Sequence, residues 1–205
     1  MTVGAARKEL RRHAAALLLL SLAPVLNGCS TLRVPSGYAD AGTPGGARAQ
    51  VEGVTLSVKP IVGREAYWEL FDEDLPRLGL AAAWVTIQSS TAEAITIRPE
   101  RWSLRSGGRR YPALRPGAVM DRYHHGSRAR LYTLQADRDA RARIERICLQ
   151  PGSVIAGAER GGFVFFSVDS ASADSWSREA TLTAHYTAIG KKRKVAIEVP
   201  LYAHP

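Results

Sequence analysis

The sequence predicts a mainly β protein, an antiparallel β-sandwich of about seven to eight strands with one or two short helices inserted in the middle of the chain. Apolar residues alternate with polar ones in several short segments, as in half-buried strands. Turn-forming residues separate these segments, and the chain has 18 glycines and 11 prolines. With 205 residues, 45% apolar and 23% charged, the chain is neither a multidomain enzyme, nor a polytopic membrane protein, nor wholly disordered.

The chain begins with a predicted signal peptide. Residues 1–13 carry four basic residues and one acidic residue, and the apolar run Ala14–Leu26 follows. This run of 13 residues is shorter than the roughly 20 residues that a membrane-spanning helix needs. Pro24 also interrupts it. Residues 1–28 are therefore expected to be removed.

The end of this leader, Leu26-Asn27-Gly28-Cys29, resembles the lipobox of bacterial lipoproteins. The resemblance implies signal cleavage between Gly28 and Cys29, followed by lipidation of Cys29 with acyl chains such as palmitate. Ser30 is not the aspartate that signals retention at the inner membrane, so we expect a lipid-anchored protein of the outer membrane that faces the periplasm. The alternative is an ordinary secretory signal with a chance cysteine.

A tether and one domain follow the leader. Residues 29–50, the lipidated cysteine and the segment STLRVPSGYADAGTPGGARAQ, are predicted to be a flexible linker because they are rich in small residues and proline. Residues 51–205 form the predicted β-sandwich domain. Loss of the leader lowers the formal net charge from +9 to +6, because it removes four basic residues and one acidic residue.

Eight segments of the domain have strand patterns. They lie at residues 54–58, 84–89, 94–98, 102–106, 109–114, 163–168, 180–188 and 195–201. Gly107-Gly108 predicts a tight hairpin between two of them, and residues 189–192 join the last two. Residues 163–168 are almost entirely apolar, which predicts a strand buried on both faces.

Three segments do not have strand patterns. Residues 64–78 mix aromatic and acidic residues with Pro76, which predicts an ordered loop or a short helix. Residues 118–125 form a predicted helix that ends before Gly126. A second predicted helix, at residues 138–148, places apolar residues at offsets of four, seven and eight. These are Ala140, Ile144, Ile147 and Cys148.

The pattern from about residue 51 to 202 resembles bacterial lipoproteins of uncharacterised role that have a single immunoglobulin-like domain. The matching motifs are Phe71-Asp72-Glu73-Asp74-Leu75, Ile87-Gln88-Ser89-Ser90, Pro151-Gly152 and Gly162-Phe163-Val164-Phe165-Phe166. The resemblance implies an immunoglobulin-like β-sandwich and an envelope location, and it implies no activity.

No residue pattern predicts catalysis, a metal site or a cofactor. The sequence lacks a Gly-x-Ser-x-Gly motif, and His185 lies within a predicted strand. Asp121, His124 and His125 form a cluster of metal-ligand types, but adjacent histidines of a helix point about 100° apart. The acidic group Glu69, Asp72, Glu73 and Asp74 lacks the alternating spacing and central glycine of a calcium-binding loop. A cell-wall or metal-dependent enzyme is therefore the minor alternative. Cys148 is expected to be buried, the alternative being a reactive thiol.

Arginine is concentrated in the middle of the chain. Between Arg98 and Arg146 there are 13 arginines and five acidic residues. Such a surface suits an anionic envelope lipid or glycan, because guanidinium groups form paired hydrogen bonds with phosphates and carboxylates. The candidates are Arg109, Arg110, Arg128 and Arg130. A merely solvated face is the alternative, and nucleic acid is excluded by the expected compartment.

The leading functional interpretation is a non-enzymatic, lipid-anchored binding or assembly module in the envelope. The membrane is one partner, through the N-terminal lipid, and another envelope protein is the second. Tyr67, Trp68 and Phe71 lie beside acidic residues, a combination found at protein interfaces. These three aromatic residues either face a partner or cover the end of the core.

Overall fold

Alternating strand residues and three helices produce two antiparallel sheets and a layer of helices. The computed structural model describes residues 46–126, 134–169, 176, 179–190 and 192–201. The strands are β1 Ala47–Val51, β2 Val54–Pro60, β3 Leu80–Ser89, β4 Ile95–Ile97, β5 Ser103–Ser106, β6 Arg109–Pro112, β7 Gly152–Val154, β8 Glu159–Ser167, β9 Ala180–Ala188 and β10 Arg193–Leu201. The helices are α1 Arg64–Phe71, α2 Pro116–Gly126 and α3 Leu134–Ile147. None of these helices has the length and apolarity that a membrane crossing requires.

The first sheet has the strand order β1-β2-β3-β8, and all its pairs are antiparallel. Its first hairpin turns at Glu52-Gly53, where both residues have positive φ angles of 51° and 77°. This backbone is typical of a two-residue hairpin turn, and it aligns Val51 with Val54. The predicted end of the tether at residue 50 is therefore wrong, because β1 begins at Ala47.

The second sheet is built around β9. β10 pairs with the whole length of β9 on one side. On the other side, β4 and β5 pair with different parts of β9, and a short 3₁₀ turn at Pro99–Arg101 separates them. β7 lies outside β4, and β6 lies outside β5. The hairpin predicted at Gly107-Gly108 is confirmed.

The sandwich core lies between the two sheets, and alternation along β3 and β8 creates it. Ala81, Ala83, Val85, Val164 and Phe166 are buried on this side of the first sheet. Their partners from the second sheet and its connections include Ile95, Ile97, Trp102, Leu104, Leu182, Ala184, Ile197 and Val199. The prediction of a mainly β antiparallel sandwich is confirmed.

A helical layer covers the opposite face of the first sheet at β3 and β8, so the fold has a third layer that a plain sandwich lacks. Phe163 and Phe165 of β8 pack there with Phe71 of α1, Val119 of α2 and Ile144 of α3. The burial of β8 on both faces is therefore confirmed. Both predicted middle helices are present, and each begins before its predicted start.

The chain leaving α3 lies directly against the open edge of β8. The N–H of Leu149 donates a hydrogen bond to the carbonyl of Phe163 at 2.9 Å. A Cβ atom on Gly162 would lie 2.5 Å from the Leu149 nitrogen, so this approach requires glycine. The contact closes the helical layer onto the first sheet.

Candidate functional site

Four of the predicted site residues lie outside the described residues. They are Gly28 and Cys29 at the expected cleavage and lipidation site, and the candidate ligand-binding residues Arg128 and Arg130. Lipidation at Cys29 therefore stays a prediction at this point.

The aromatic residues at 67–71 have two different environments. Tyr67 and Phe71 are fully buried, whereas 43% of the Trp68 surface is exposed. The Phe71 ring packs edge-on against Phe163, with the ring centres 5.1 Å apart. An interface role for Tyr67 and Phe71 is wrong, because the period of α1 turns both side chains toward the first sheet. Trp68 remains a candidate for contact with a partner.

Arg109 and Arg110 are adjacent on β6 and make different contacts. Arg109 forms an ion pair with Asp169, so an intramolecular carboxylate already occupies its guanidinium group. The Nε atom of Arg110 donates a hydrogen bond to Ser103 Oγ at 2.9 Å. Arg110 lies opposite Arg105 of β5, so these two arginines share one sheet face.

The cluster Asp121, His124 and His125 is divided between different contacts. His124 Nε2 lies 2.6 Å from Asp137 Oδ1 of α3, and Arg141 Nε donates to Asp137 Oδ2 at 3.0 Å. The hydrogen bond from Arg141 is the main cause that lowers the pKa of Asp137, and the hydrogen bond with His124 adds to it.

His125 Nδ1 lies 2.6 Å from the backbone carbonyl oxygen of Asp121, so the two histidines point to different partners. Within the described ranges, no three histidine, cysteine, aspartate or glutamate side chains are grouped as a metal site. The contact of His124 with Asp137 joins α2 to α3, whereas that of His125 stays within α2.

Cys148 is a buried thiol, as predicted, and only 6% of its surface is exposed. Burial, with the nearby Glu145 carboxylate, raises its pKa to about 12. The thiol is therefore protonated at neutral pH and is a poor nucleophile. This environment favours the interpretation of Cys148 as a packing residue.

The outer face of the second sheet is strongly basic. Residues paired across the strands point to the same side, so Arg105, Arg110 and Thr181 form one row. Lys194, Thr187 and Thr96 form another. Among the described strand residues that point outward, Glu198 is the acidic one. Most of these side chains are partly or fully exposed.

A groove of about 540 Å³ lies at one end of this face, between the Pro99–Arg101 turn and strands β9 and β10. Its lining residues are Thr96, Arg98, Arg101, His185, Tyr186, Thr187 and Lys194. The Tyr186 hydroxyl is directed away, since it donates to the Val51 carbonyl at 3.3 Å. Burial raises the Tyr186 pKa. The groove therefore presents cations and small hydroxyl groups.

Sequence reasoning missed Arg98, Arg101, His185 and Lys194 as members of one site. The period-two pattern places each of them on the polar side of its strand or turn, but it does not show which strands are neighbours. Only the position of β9 between β4 and β10 brings these residues together.

Comparisons with known proteins give no family for the chain. No family model and no curated protein matches it. Among solved structures, ycdA of Bacillus subtilis, a candidate lipoprotein, is 10% identical with a TM-score of 0.39, covering 76% of this chain and 38% of that protein. A functionally unknown protein from Listeria monocytogenes is also 10% identical with a TM-score of 0.39, covering 77% and 81% of the two chains.

The yjhA protein of Bacillus subtilis is 8% identical with a TM-score of 0.35, covering 74% of this chain and 94% of that one. Scores of this size assign no function. The fold and the groove together define the chain as a two-sheet β-sandwich that carries a helical layer on one side and a basic face on the other.

Proposed function

We propose that the protein is a bacterial lipoprotein, anchored through Cys29 in the outer membrane, that faces the periplasm and acts as a non-enzymatic binding or assembly module. The observation that carries this proposal is the leader. A basic segment, the apolar run Ala14–Leu26 and the pair Gly28-Cys29 occur in the order that lipoprotein processing requires. Several acyl chains on one residue give a stable anchor, whereas a single chain gives only marginal binding.

The lipid anchor is tested by replacing one cysteine at a time with alanine. The wild-type protein and Cys29→Ala are expressed in a Gram-negative host, labelled with tritiated palmitate and separated into membrane and soluble fractions. We expect label and membrane sedimentation for the wild type, and neither for Cys29→Ala. Cys148→Ala is the matched control and should behave as the wild type. Labelled Cys29→Ala in the membrane pellet would contradict the proposal.

If the segment before β1 is the tether predicted from the sequence, it gives the domain reach. Because β1 begins at Ala47, about 17 residues would separate it from the lipid, which corresponds to roughly 20–25 Å for a flexible chain. Such a tether lets the sandwich contact ligands of the same membrane and proteins of the periplasm.

A binding role has support at the basic outer face. Arg98, Arg101, Arg105, Arg110 and Lys194 lie on this face or at its groove. This clustering favours an anionic envelope lipid or glycan as ligand. Retention on anionic vesicles should exceed retention on neutral vesicles in 20 mM salt and should fall in 500 mM salt. Equal retention on both would contradict this binding mode.

A protein partner has separate support at α1. Trp68 is exposed beside Glu65 and Glu69, so an aromatic ring and carboxylates share this surface. Crosslinking in intact cells, followed by mass spectrometry, tests this contact. A near-stoichiometric envelope protein that is lost with Trp68→Ala would support it, and unchanged crosslinking would oppose it.

A further inference from the structure

The groove on the outer face of the second sheet combines a concave shape with positive side chains that pair with no other residue in the described part of the chain. Arg98 lies at the end of β4, Arg101 in the turn that follows, and Lys194 near the start of β10. None of the three has a hydrogen bond or ion pair through its side chain to another described residue. Like charges held together without a counter-ion raise the local positive potential, which attracts an anion.

The Trp102 side chain fixes the backbone next to Arg101. The indole Nε1 of Trp102 donates a hydrogen bond to the carbonyl of His185 at 2.9 Å. Trp102 is also buried in the sandwich core. The residue before it, Arg101, is therefore fixed next to β9, so part of the groove is preformed rather than assembled on binding.

Neutral polar groups lie between the charges. Thr96 and Thr187 face each other across β4 and β9, and Lys194 faces Thr187 from β10. His185 lies two residues away on the same side of β9. Hydroxyl and imidazole groups donate and accept hydrogen bonds, which is what the hydroxyl groups of a sugar require.

We propose that this groove binds a phosphorylated sugar, with Arg98, Arg101 and Lys194 around the phosphate and the threonines and His185 along the sugar. The inference deepens the binding role proposed above and rests on it. Arginine forms paired hydrogen bonds with phosphate oxygens. The volume of about 540 Å³ lies in the range of roughly 300–1,000 Å³ typical of small-molecule sites. A lone phosphate would fill only a small part of it.

The test is calorimetric titration of the full lipidated protein in detergent micelles at 20 mM salt. The probes are glucose 1-phosphate, inorganic phosphate and uncharged glucose. Binding should be tightest for glucose 1-phosphate and absent for glucose. In the groove variant Arg98→Gln/Arg101→Gln/Lys194→Gln, affinity for glucose 1-phosphate should fall by about tenfold or more, because each exposed charge contributes modestly.

A control variant removes the same charge elsewhere. Arg48→Gln/Arg138→Gln/Arg146→Gln changes three arginines that are exposed and outside the groove, and it should bind as the wild type does. Circular dichroism and melting temperature confirm that both variants are folded. Equal weakening in the two variants would overturn the proposal, because net charge alone would then explain binding.

Three further results would also overturn it. They are no binding of glucose 1-phosphate by the wild type, inorganic phosphate bound as tightly as the sugar phosphate, and groove-dependent sedimentation with phosphatidylglycerol vesicles without any binding of the sugar phosphate. The last result would assign the groove to a lipid surface. None of these outcomes bears on the proposed lipidation of Cys29, which membrane fractionation of Cys29→Ala tests independently.

Discussion

The phenol oxygen of Tyr67 accepts a hydrogen bond of 2.9 Å from the backbone N–H of Ala82. Both residues are fully buried, and the bond joins α1 to β3 beyond the end of the pairing between β2 and β3, whose last pair is Pro60 with Ala83. A side chain thus completes the hydrogen bonding of a strand where the neighbouring strand has ended. Tyr67 supports the fold for this reason and is no contact for a partner.

Removal of this hydroxyl should therefore destabilise the protein. Tyr67→Phe leaves the buried N–H of Ala82 without its partner. A buried N–H that makes no hydrogen bond lowers the free energy of unfolding by about 1–3 kcal/mol. We expect a loss of this size in the free energy of unfolding from urea denaturation. Tyr111→Phe is the control, since the Tyr111 hydroxyl has no hydrogen bond to another described residue, and its loss should be smaller. Equal losses would show that the Ala82 bond is unimportant.

The close approach at Gly162 predicts a second sensitive position. Gly162→Ala places a methyl group 2.5–2.9 Å from backbone atoms of Cys148 and Leu149. These backbone atoms cannot rotate away as a flexible side chain can. We therefore expect the free energy of unfolding to fall by about 1–3 kcal/mol or more. Gly117→Ala is the matched control, because nothing lies within 4 Å of a Cβ atom there. A melting temperature of Gly162→Ala equal to that of the wild type would contradict this packing.

The strands could be predicted from the sequence where alternation is strong. Val54, Leu56 and Val58 of β2 and Val195, Ile197 and Val199 of β10 are buried as expected. β1 was not predicted, because its residues are small or polar and its pairing depends on the Glu52-Gly53 turn. β7 has only three residues, too few to show a period.

The site could be predicted less well than the fold. Periodicity indicates which side of a strand is polar, but a groove depends on the lateral order of strands. β4, β9 and β10 are neighbours although long stretches of sequence separate β4 from the other two. The arginine count predicts a basic surface, yet Arg109 is paired with Asp169, and only an observed contact reveals such neutralisation.

Cys148 should react slowly with thiol reagents while the protein is folded. Its pKa is raised to about 12 from an ordinary value of 9.0, which lowers the thiolate fraction at pH 8 on the order of a thousandfold. In Cys29→Ala, Cys148 is the sole cysteine of the chain. We expect slow reaction with Ellman's reagent in native buffer and immediate reaction in 6 M guanidinium. Complete native labelling within a minute would contradict the buried position.

The same raised pKa predicts a loss of stability in alkali. The folded protein holds the proton of Cys148 more tightly than the unfolded chain does. The resulting contribution to the free energy of unfolding is complete below about pH 9 and is lost as the pH rises toward 12. The alkaline loss of melting temperature should be smaller in Cys148→Ala than in the wild type. Equal losses would assign the alkaline effect to other groups.

The contact between α2 and α3 should weaken in acid. The pKa of Asp137 is lowered in the folded protein, mainly by the hydrogen bond from Arg141. The ionised carboxylate therefore stabilises the fold above its ordinary pKa near 3.8. This stabilisation is lost as the pH falls through the lowered pKa of the folded state. Asp137→Ala should lower the urea midpoint at pH 7 and differ less from the wild type at pH 3.

Asp139→Ala provides the control for this effect. Asp139 lies on the same helix, is exposed and accepts a hydrogen bond from Gln135 Nε2 at 2.8 Å. Its removal should change the urea midpoint less than removal of Asp137 does. A difference between Asp137→Ala and the wild type that is independent of pH would argue that the aspartate acts through packing rather than through its charge.

The burial of the first half of β3 and of the middle of β8 on both faces limits where new binding properties can arise in this molecule. Every side chain of Leu80–Ala83 and of residues 163–166 is enclosed. A substitution there therefore changes the packing of the interior and adds no group that a ligand could contact. The outer face of the second sheet has no such constraint, because a new threonine, lysine or arginine there alters only the surface. The three layers thus separate positions that preserve the architecture from positions at which recognition can diversify among descendants of this chain.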